Sequence, residues 1–273
     1  MPESSTANQT SLENKRFWSE PCGFNAFQKF GFKNSLEFDK WYLSFYPYLA
    51  KHIPFDSVAD KRVLEIGLGM GTVAEKLASN CANYTGIDLA EGSVEIVKKR
   101  FEYGKISAEV LCADILTHPL KGNSFDLVIS IGCLHHTGNF KVAVDQIVRC
   151  LKPGGECILM VYNAFSYRQW LLSPFATLWK IISRNYEYFP ANSDKGKRRL
   201  YDPNTKGEAA PFTEFLSTGQ IDLILKSHNI YPSAQTENIG SIFMFPLPRN
   251  WKLKIFGSFL GLDLYIHFKK PIN

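Results

Sequence analysis

The sequence lacks Cys-x-x-Cys pairs, internal repeats and long uninterrupted apolar runs. Its six cysteines are scattered, which argues against a zinc knuckle or a disulfide framework and favours reduced thiols. Residues 1–15 are mainly polar and lack the apolar run of a signal peptide. No window approaches the ~18 apolar residues of a membrane span. We therefore expect a cytoplasmic protein without a membrane span.

Composition is that of a folded chain. Hydrophobic residues make up 45% and charged residues 21% of the 273 residues, which excludes a mainly disordered or coiled-coil protein. The net charge of +5 favours contact with anions without specifying nucleic acid. Aromatic residues are abundant at 14%, and composition alone leaves open whether they fill a core or line a pocket.

Between residues 61 and 163, short apolar runs alternate with amphipathic stretches of helical length, which is typical of a parallel α/β sheet. The predicted strands are Arg62–Ile66, Tyr84–Ile87, Ala108–Cys112, Leu127–Ile131 and Glu156–Val161. The predicted helices are Thr72–Ser79, Gly92–Tyr103, Val142–Cys150 and a later one from Ser217 to Ile224. Two late strands, near Tyr231–Asn238 and Leu262–Phe268, would complete a seven-stranded sheet.

The flanking segments differ from this core. Helical spacing from Ser35 to Ile53, with Ser35 as a plausible N-cap, predicts a helical cover. Lys152 to Gly155 predicts a tight turn before the fifth strand. The predicted division is a polar tail at 1–14, a helical cover at 15–60, a core at 61–163, an aromatic-rich cap or lid at 164–213 and a C-terminal helix with strands at 214–273.

The sharpest local signal is a glycine-rich turn between the first strand and the first core helix, read as Val63-Leu64-Glu65-Ile66-Gly67-Leu68-Gly69-Met70-Gly71-Thr72. Such a turn lets a ligand approach the backbone, and the following helix offers unpaired N–H groups. The spacing is G-x-G-x-G rather than the G-x-G-x-x-G of dinucleotide-binding folds. Glu65 would face a pyrophosphate unfavourably but suits the ammonium of an amino-acid-like cofactor, which favours S-adenosylmethionine.

Two further acids follow the next two strands. Asp88 ends the second strand and can accept from both ribose hydroxyls, and Asp114 follows the third strand, where it can accept from an adenine amino group while Ile115 packs on the ring. The carboxyl ends of strands are where open α/β sheets bind ligands. Each acid alone has an ordinary interpretation as a cap or loop residue, but their shared order and context favour one nucleoside site.

These motifs resemble those of the class I S-adenosylmethionine-dependent methyltransferases, in the small-molecule branch that includes ubiquinone and menaquinone biosynthesis enzymes. The resemblance rests on VLEIGLGMGT, GIDLAEGSVEIVKKR, ADILTHPLKGNSFDLVIS, GCLHHT and LKPGGECILMVYN, and covers about residues 60–163. It implies an α/β Rossmann-like sheet, mostly parallel, with helices on both faces and a reversed last strand. It also implies a cofactor site; the predicted members are Glu65, Gly67, Gly69, Gly71, Thr72, Asp88, Leu89, Asp114, Ile115 and Ile131.

In methyl transfer the cofactor supplies the reactive methyl group, and the protein mainly aligns the acceptor atom with it, so no strong catalytic motif is expected in the sequence. His135 and His136 are candidate bases if the acceptor is a hydroxyl, although they can equally be a loop pair that shapes the turn. Two adjacent histidines without a third ligand make a poor metal site, so we expect no metal. The predicted substrate-lining residues are Tyr162, Asn163, Tyr167 and Trp170.

The region after the fifth strand is open to two interpretations. Its aromatic rings either form the core of a small helical cap or line a lid over an apolar or ring-shaped acceptor. Lys195, Lys197, Arg198 and Arg199 form a basic cluster, which is either a solvated face or a means of steering an anionic acceptor.

The sequence thus predicts methyl transfer from S-adenosylmethionine to a small organic acceptor, with oxygen as the favoured atom. One alternative is a nucleic-acid or protein methyltransferase, but the Asn/Asp-Pro-Pro-Tyr/Phe motif of many base-amino methylases is absent after the fourth strand. Another is a protein that binds the cofactor without transferring a methyl group. The oligomeric state is left open.

Overall fold

One seven-stranded sheet organises the chain. A computed structural model describes residues 3–21, 26–183, 187–188, 191–240 and 246–272. The strand order is β3-β2-β1-β4-β5-β7-β6. The strands are β1 Arg62–Ile66, β2 Asn83–Asp88, β3 Glu109–Cys112, β4 Phe125–Ile131, β5 Leu151–Tyr162, β6 Ser233–Glu237 and β7 Asp263–Lys269.

The first five strands are parallel, and β7 runs antiparallel between β5 and β6. The predicted Rossmann-like sheet with a reversed last strand is therefore confirmed. The chain order reverses between β1 and β4, which leaves a crevice beyond their carboxyl ends. Parallel strands place all of their carboxyl ends at one edge, so the ends of β1 to β4 converge there.

Helices cover both faces of the sheet. Within the described residues they are α1 Glu3–Ser19, α2 Ala26–Lys29, α3 Ser35–Phe45, α4 Leu49–His52, α5 Thr72–Ala78, α6 Glu91–Gly104, α7 Phe140–Cys150, α8 Tyr167–Leu172, α9 Pro174–Ser183, α10 Lys195–Tyr201, α11 Thr218–Lys226 and α12 Arg249–Leu260, with a 3-10 turn at Leu134–His136. None of them combines the length and apolarity needed to cross a membrane.

The two faces of the sheet bury separate apolar clusters because alternate strand residues point to opposite sides. Val128 and Leu159 face the cluster that includes α7 and α11, whereas Leu127 and Ile129 face the one that includes α5 and α6. The helix α11 starts with a capping box in which Ser217 and Gln220 satisfy each other's backbone N–H groups.

The N-terminal region differs from the sequence-based expectation. Residues 1–14 were expected to form a polar tail, but Glu3–Ser19 is an α-helix. Its sequence has no strong apolar stripe, and what holds it is contact with the strand ends, which local patterning does not reveal. The predicted N-cap Ser35 is also wrong, because Asn34 accepts the capping hydrogen bond from the Glu37 N–H at 3.0 Å.

Two further differences lie later in the chain. The predicted turn at Lys152 to Gly155 is a bulge inside β5. Leu151 already pairs with Phe125, and pairing with β4 resumes at Glu156 after the bulge. Helix α12 was not predicted, since Arg249–Leu260 mixes basic and apolar residues without a clear stripe. The finer division into cover, core and cap stays a prediction.

Arg100 on α6 holds the glycine turn after β1 in place. Its guanidinium donates to Glu75 Oε2 at 2.7 Å, to Asp39 Oδ2 at 2.5 Å and to the Met70 carbonyl at 3.0 Å. The side chain is 5% exposed. One cation therefore joins α3, α5, α6 and the glycine turn.

We expect Arg100→Met to lower the free energy of unfolding by about 3 kcal/mol, because two carboxylates and a carbonyl lose a shared buried donor. Urea denaturation measures this loss. Lys99→Met is the matched control, since Lys99 forms an exposed pair with Glu95 at 3.9 Å and should cost under about 1 kcal/mol. Equal losses in the two variants would contradict the bridging role of Arg100.

Candidate functional site

A cleft of about 820 Å³ opens at the carboxyl ends of β1, β2 and β4. It brings together most of the predicted cofactor-binding residues, together with residues from α1 and the turn after β4. The predicted residues that line it are Gly67, Gly69, Asp88, Leu89, Asp114, Ile115, Ile131 and His136. Gly132 and Cys133 also line it, as do Ser11, Asn14, Trp18, Ser93 and Thr137, which the sequence did not single out.

A second cavity of about 550 Å³ adjoins the first. The two share Gly67, Gly69 and Ile131, so the glycine turn forms their common wall. Glu65, Gly71 and Thr72 line the second cavity together with Phe38 and Tyr42 of α3. All ten predicted cofactor-binding residues therefore line one or both of the adjoining cavities.

The three glycines of the turn have different constraints. All adopt positive φ, +83° at Gly67, +51° at Gly69 and +84° at Gly71. A Cβ on Gly67 would overlap the Cβ of Cys133 and lie 2.7 Å from its Sγ. A Cβ on Gly69 would meet nothing within 4 Å, because it would project into open space. Gly67 thus serves packing, and Gly69 serves access to the backbone.

Glu65 is a buried carboxyl group at the end of β1. It is 3% exposed and accepts a hydrogen bond from the Tyr84 hydroxyl at 2.7 Å. Burial raises its pKa to about 8, although the Tyr84 hydrogen bond opposes the rise. The group is therefore mostly protonated at neutral pH, and an adjacent cation would restore its charge.

Asp88 and Asp114 are held by backbone donors. Asp88 accepts from the Leu68 N–H at 2.7 Å and from the Ala90 N–H at 2.8 Å, so its orientation is fixed. Burial raises the pKa of Asp88 against the effect of these hydrogen bonds. Asp114 accepts from the Leu116 N–H at 2.9 Å. Each carboxylate oxygen retains a lone pair that a ligand hydroxyl or amino group can use.

Helix α1 closes one side of the cleft. Ser11 donates to Asp114 Oδ2 at 2.6 Å, and Asn14 Nδ2 donates to the His136 carbonyl at 2.6 Å. The Trp18 ring lies 4.8 Å from the His136 ring. The Oδ1 atom of Asn14 is buried and has no hydrogen-bond partner in the described part of the chain, so it can accept from a ligand.

His136 is the histidine that reaches the cleft. Its Nδ1 lies 2.8 Å from the Phe212 carbonyl, which requires a proton on Nδ1 and leaves the lone pair on Nε2. Nε2 lies 3.7 Å from Asp202 Oδ2, and Asp202 Oδ1 accepts from the Tyr162 hydroxyl at 2.7 Å. Burial lowers the pKa of His136, and the Asp202 carboxylate raises it in part.

The sequence did not identify Asp202. It lies at the C-terminal end of α10, and burial raises its pKa. Only its position before Pro203 distinguished it in the sequence, and that signals a helix end rather than a partner for a distant histidine.

His135 does not line either cavity. It is fully buried, and its ring lies 4.1 Å from His136 and 4.2 Å from Tyr162. Among the described residues neither ring nitrogen has a hydrogen-bond partner, and burial lowers its pKa well below the usual range. The prediction of His135 as a base is therefore not supported by its position, because the ring is buried away from both cavities.

The predicted substrate residues also lie outside the two cavities. The Asn163 amide is used by the backbone, donating to Gly261 O and accepting from Phe165 N. Tyr167 is buried with Ile239 and Leu262, and Trp170 is half-buried on α8. Tyr162 alone joins the site, through Asp202. Thr72 is similarly occupied, since its hydroxyl donates to Asp39 at 2.6 Å.

No cluster of three or more metal-ligating side chains occurs in the described part of the chain. Cys133 lines the cleft, but burial raises the pKa of its thiol. Although its place beside the two histidines suggests a nucleophile, a neutral thiol packed against Gly67 acts as a small packing residue instead.

Comparison with known proteins agrees with this geometry. Residues 64–159 match the family model described as a methyltransferase domain. The chain is 31% identical over 137 residues to the ubiquinone biosynthesis O-methyltransferase of Dechloromonas aromatica, covering 48% of this chain and 53% of that protein. It is 30% identical over 142 residues to the demethylmenaquinone methyltransferase of Clavibacter sepedonicus, covering 48% and 57%. The chain spans about half the length of these curated relatives.

Solved structures share the fold. The N-methyltransferase NodS from Bradyrhizobium japonicum, in complex with S-adenosyl-L-homocysteine, has a TM-score of 0.53 at 18% identity and covers 96% of this chain and 98% of its own. The [4+2]-cyclase SpnF has a TM-score of 0.54 at 15% identity, covering 87% and 82%. The fold and the predicted resemblance to class I methyltransferases are thus confirmed, with the family match confined to residues 64–159.

We expect Gly67→Ala to lower the free energy of unfolding by about 3 kcal/mol or more, because it adds both backbone strain and a clash with Cys133. Gly69→Ala should cost only about 1 to 2 kcal/mol, from the positive φ alone. Urea denaturation compares the two. In a Cys133→Gly background, the cost of Gly67→Ala should fall towards that of Gly69→Ala; an unchanged cost would contradict the packing argument.

Proposed function

We propose that the protein is an S-adenosylmethionine-dependent methyltransferase acting on a small organic acceptor, with oxygen as the methylated atom. The observation that carries the proposal is the convergence of Glu65, Asp88 and Asp114, from three strand ends, on cavities that share one glycine wall. A cytoplasmic location belongs to the same proposal.

The residues present fit this cofactor. The open space above Gly69 is a cradle that any Cβ would begin to fill. Glu65 suits the ammonium of the methionine part, Asp88 the ribose hydroxyls, and Asp114 with Ile115 the adenine. When bound, the cofactor supplies an electrophilic methyl group on a sulfonium. The chain then has to orient the acceptor, exclude water and remove a proton.

His136 is the proposed proton acceptor. Its Nδ1–H is held by the Phe212 carbonyl, so Nε2 carries the lone pair that takes the hydroxyl proton. Asp202, 3.7 Å away, stabilises the imidazolium that results, and Tyr162 orients Asp202. This arrangement is what favours oxygen, because an acceptor hydroxyl must lose a proton as the new bond forms.

A second candidate function follows from the fold comparison. SpnF has this fold and is described as a cyclase, so the fold alone does not establish methyl transfer. A protein that binds the cofactor without transferring its methyl group therefore stays an alternative.

Calorimetry with S-adenosylmethionine and, separately, with NADP tests the cofactor half. Release of S-adenosylhomocysteine on addition of a hydroxylated aromatic acceptor tests the transfer half. Binding of NADP but not S-adenosylmethionine would overturn both halves. Tight cofactor binding without release, for hydroxyl and amine acceptors alike, would favour the alternative.

Cofactor affinity should rise with pH between about 6 and 7.5, by up to about tenfold per pH unit. The reason is that the Glu65 pKa is about 8, so binding an ammonium group must first release the carboxyl proton. Calorimetry across this pH range measures the dependence. Glu65→Gln keeps the side-chain shape and should give weaker but nearly pH-independent binding; the same slope in both proteins would exclude Glu65 as the titrating group.

With a soluble catechol as acceptor, His136→Gln should lower the rate of S-adenosylhomocysteine release by at least about 100-fold, since the proton acceptor is lost. Cofactor affinity, measured by calorimetry, should change little. His118→Gln is the control, because His118 lies in the loop after β3 and lines neither cavity. An unimpaired His136→Gln variant would exclude this residue as the base.

A further inference from the structure

Helix α9 exposes its apolar side chains to solvent, which is the reverse of an ordinary surface helix. Phe175, Leu178, Trp179 and Ile182 follow the spacing of one helical face, yet they are 86%, 44%, 70% and 64% exposed. The buried side is polar: Thr177 is 3% exposed and donates to the carbonyls of Gln169 and Ser173. A helix normally buries its apolar stripe, so an apolar face turned to solvent indicates an external partner.

The exposed apolar surface continues onto α8. Together its residues form what we call the α8–α9 face: Leu171, Leu172, Phe175, Leu178, Trp179, Ile181 and Ile182. Helix α12 shows a related stripe, since Trp251, Ile255 and Phe259 are all exposed. The two meet at a small cluster in which Tyr167 of α8 packs with Leu253 and Phe256 of α12.

The helices that form and flank this face carry charges of one sign. The helices α8, α9, α10 and α12 carry nine Lys or Arg residues and no Asp or Glu. Lys180 of α9 and Lys197 of α10 line one polar cavity together with the acids Asp194 and Glu214, which places the basic α10 helix beside the α8–α9 face. Lys195 and Arg199 of α10 are exposed.

Apolar side chains that include Trp and Phe, on and beside helices that carry only basic charges, match the chemistry of a helix that lies in the interface of an anionic bilayer. A second copy of the chain fits less well. A symmetric dimer through this face would bring the same basic helices together, with no acid on those helices to pair them.

We propose that the α8–α9 face is a membrane-binding surface that inserts Phe175 and Trp179 among the headgroups of an anionic bilayer while the α10 basic residues contact lipid phosphates. The face is separate from the strand-end cavities. The membrane-binding proposal and the methyl-transfer proposal can therefore be tested separately, because a variant defective in one activity can still be assayed for the other.

Co-sedimentation with lipid vesicles tests the proposal. The full chain should bind vesicles of phosphatidylcholine that contain about one third phosphatidylglycerol, bind pure phosphatidylcholine more weakly, and release as salt is raised. The double variant Phe175→Ser with Trp179→Ser should bind at least about tenfold more weakly, because two inserted rings are lost. Both side chains are exposed, so the fold, checked by circular dichroism, should be unchanged.

Tyr103→Ser is the matched control, since Tyr103 is 93% exposed at the end of α6. It should bind vesicles like the unaltered protein. The pair Lys195→Glu with Arg199→Glu should weaken binding to anionic vesicles only. Absence of vesicle binding, or equal binding by the double variant, would overturn the proposal. A dimer in sedimentation velocity that the double variant dissociates, without vesicle binding, would assign the face to self-association instead.

Discussion

The close approach of Gly67 to Cys133 is the contact on which the candidate site depends. It lets the turn after β1 lie directly against the turn after β4, at the point where the strand order reverses. Any side chain at Gly67 would push these two turns apart. Because the glycine turn is also the common wall of both cavities, their shape follows from this one contact. Arg100 holds the same turn from the opposite side, so the backbone is constrained by both neighbours.

The site also buries two acidic side chains, which costs free energy of folding. Glu65, at the end of β1, and Asp202, at the end of α10, each have a pKa raised by burial. Holding such groups away from water costs stability unless hydrogen bonds compensate, and each is met by a tyrosine hydroxyl, from Tyr84 and Tyr162 respectively. The site therefore contains carboxyl groups whose protonation state changes when a cation binds nearby or when the pH changes. Such groups are common in functional sites.

The sheet could be predicted from the sequence, and so could the residues that line the strand-end cavities, because both depend on local patterns. Apolar runs identify strands, and the acids at Glu65, Asp88 and Asp114 follow directly from where those strands end. The positions of the predicted substrate-lining residues could not be predicted in the same way, because they depend on contacts with segments that are distant in sequence. Asn163 and Tyr167 follow β5, yet local packing turns them away from the cavities, whereas Asp202 reaches His136 across 66 residues of chain. Helix α1 escaped prediction for the same reason, since tertiary contacts rather than its own pattern hold it in place.

The hydrogen bond from Ser11 to Asp114 has a consequence for how tightly the cleft can hold a guest. Asp114 Oδ2 already accepts from the Ser11 hydroxyl, so a ligand donor that uses the remaining lone pair shares this oxygen with α1. The affinity for such a ligand therefore depends on how firmly α1 holds the Ser11 hydroxyl against Asp114. Changes in α1 that never touch the guest should therefore tune its residence time.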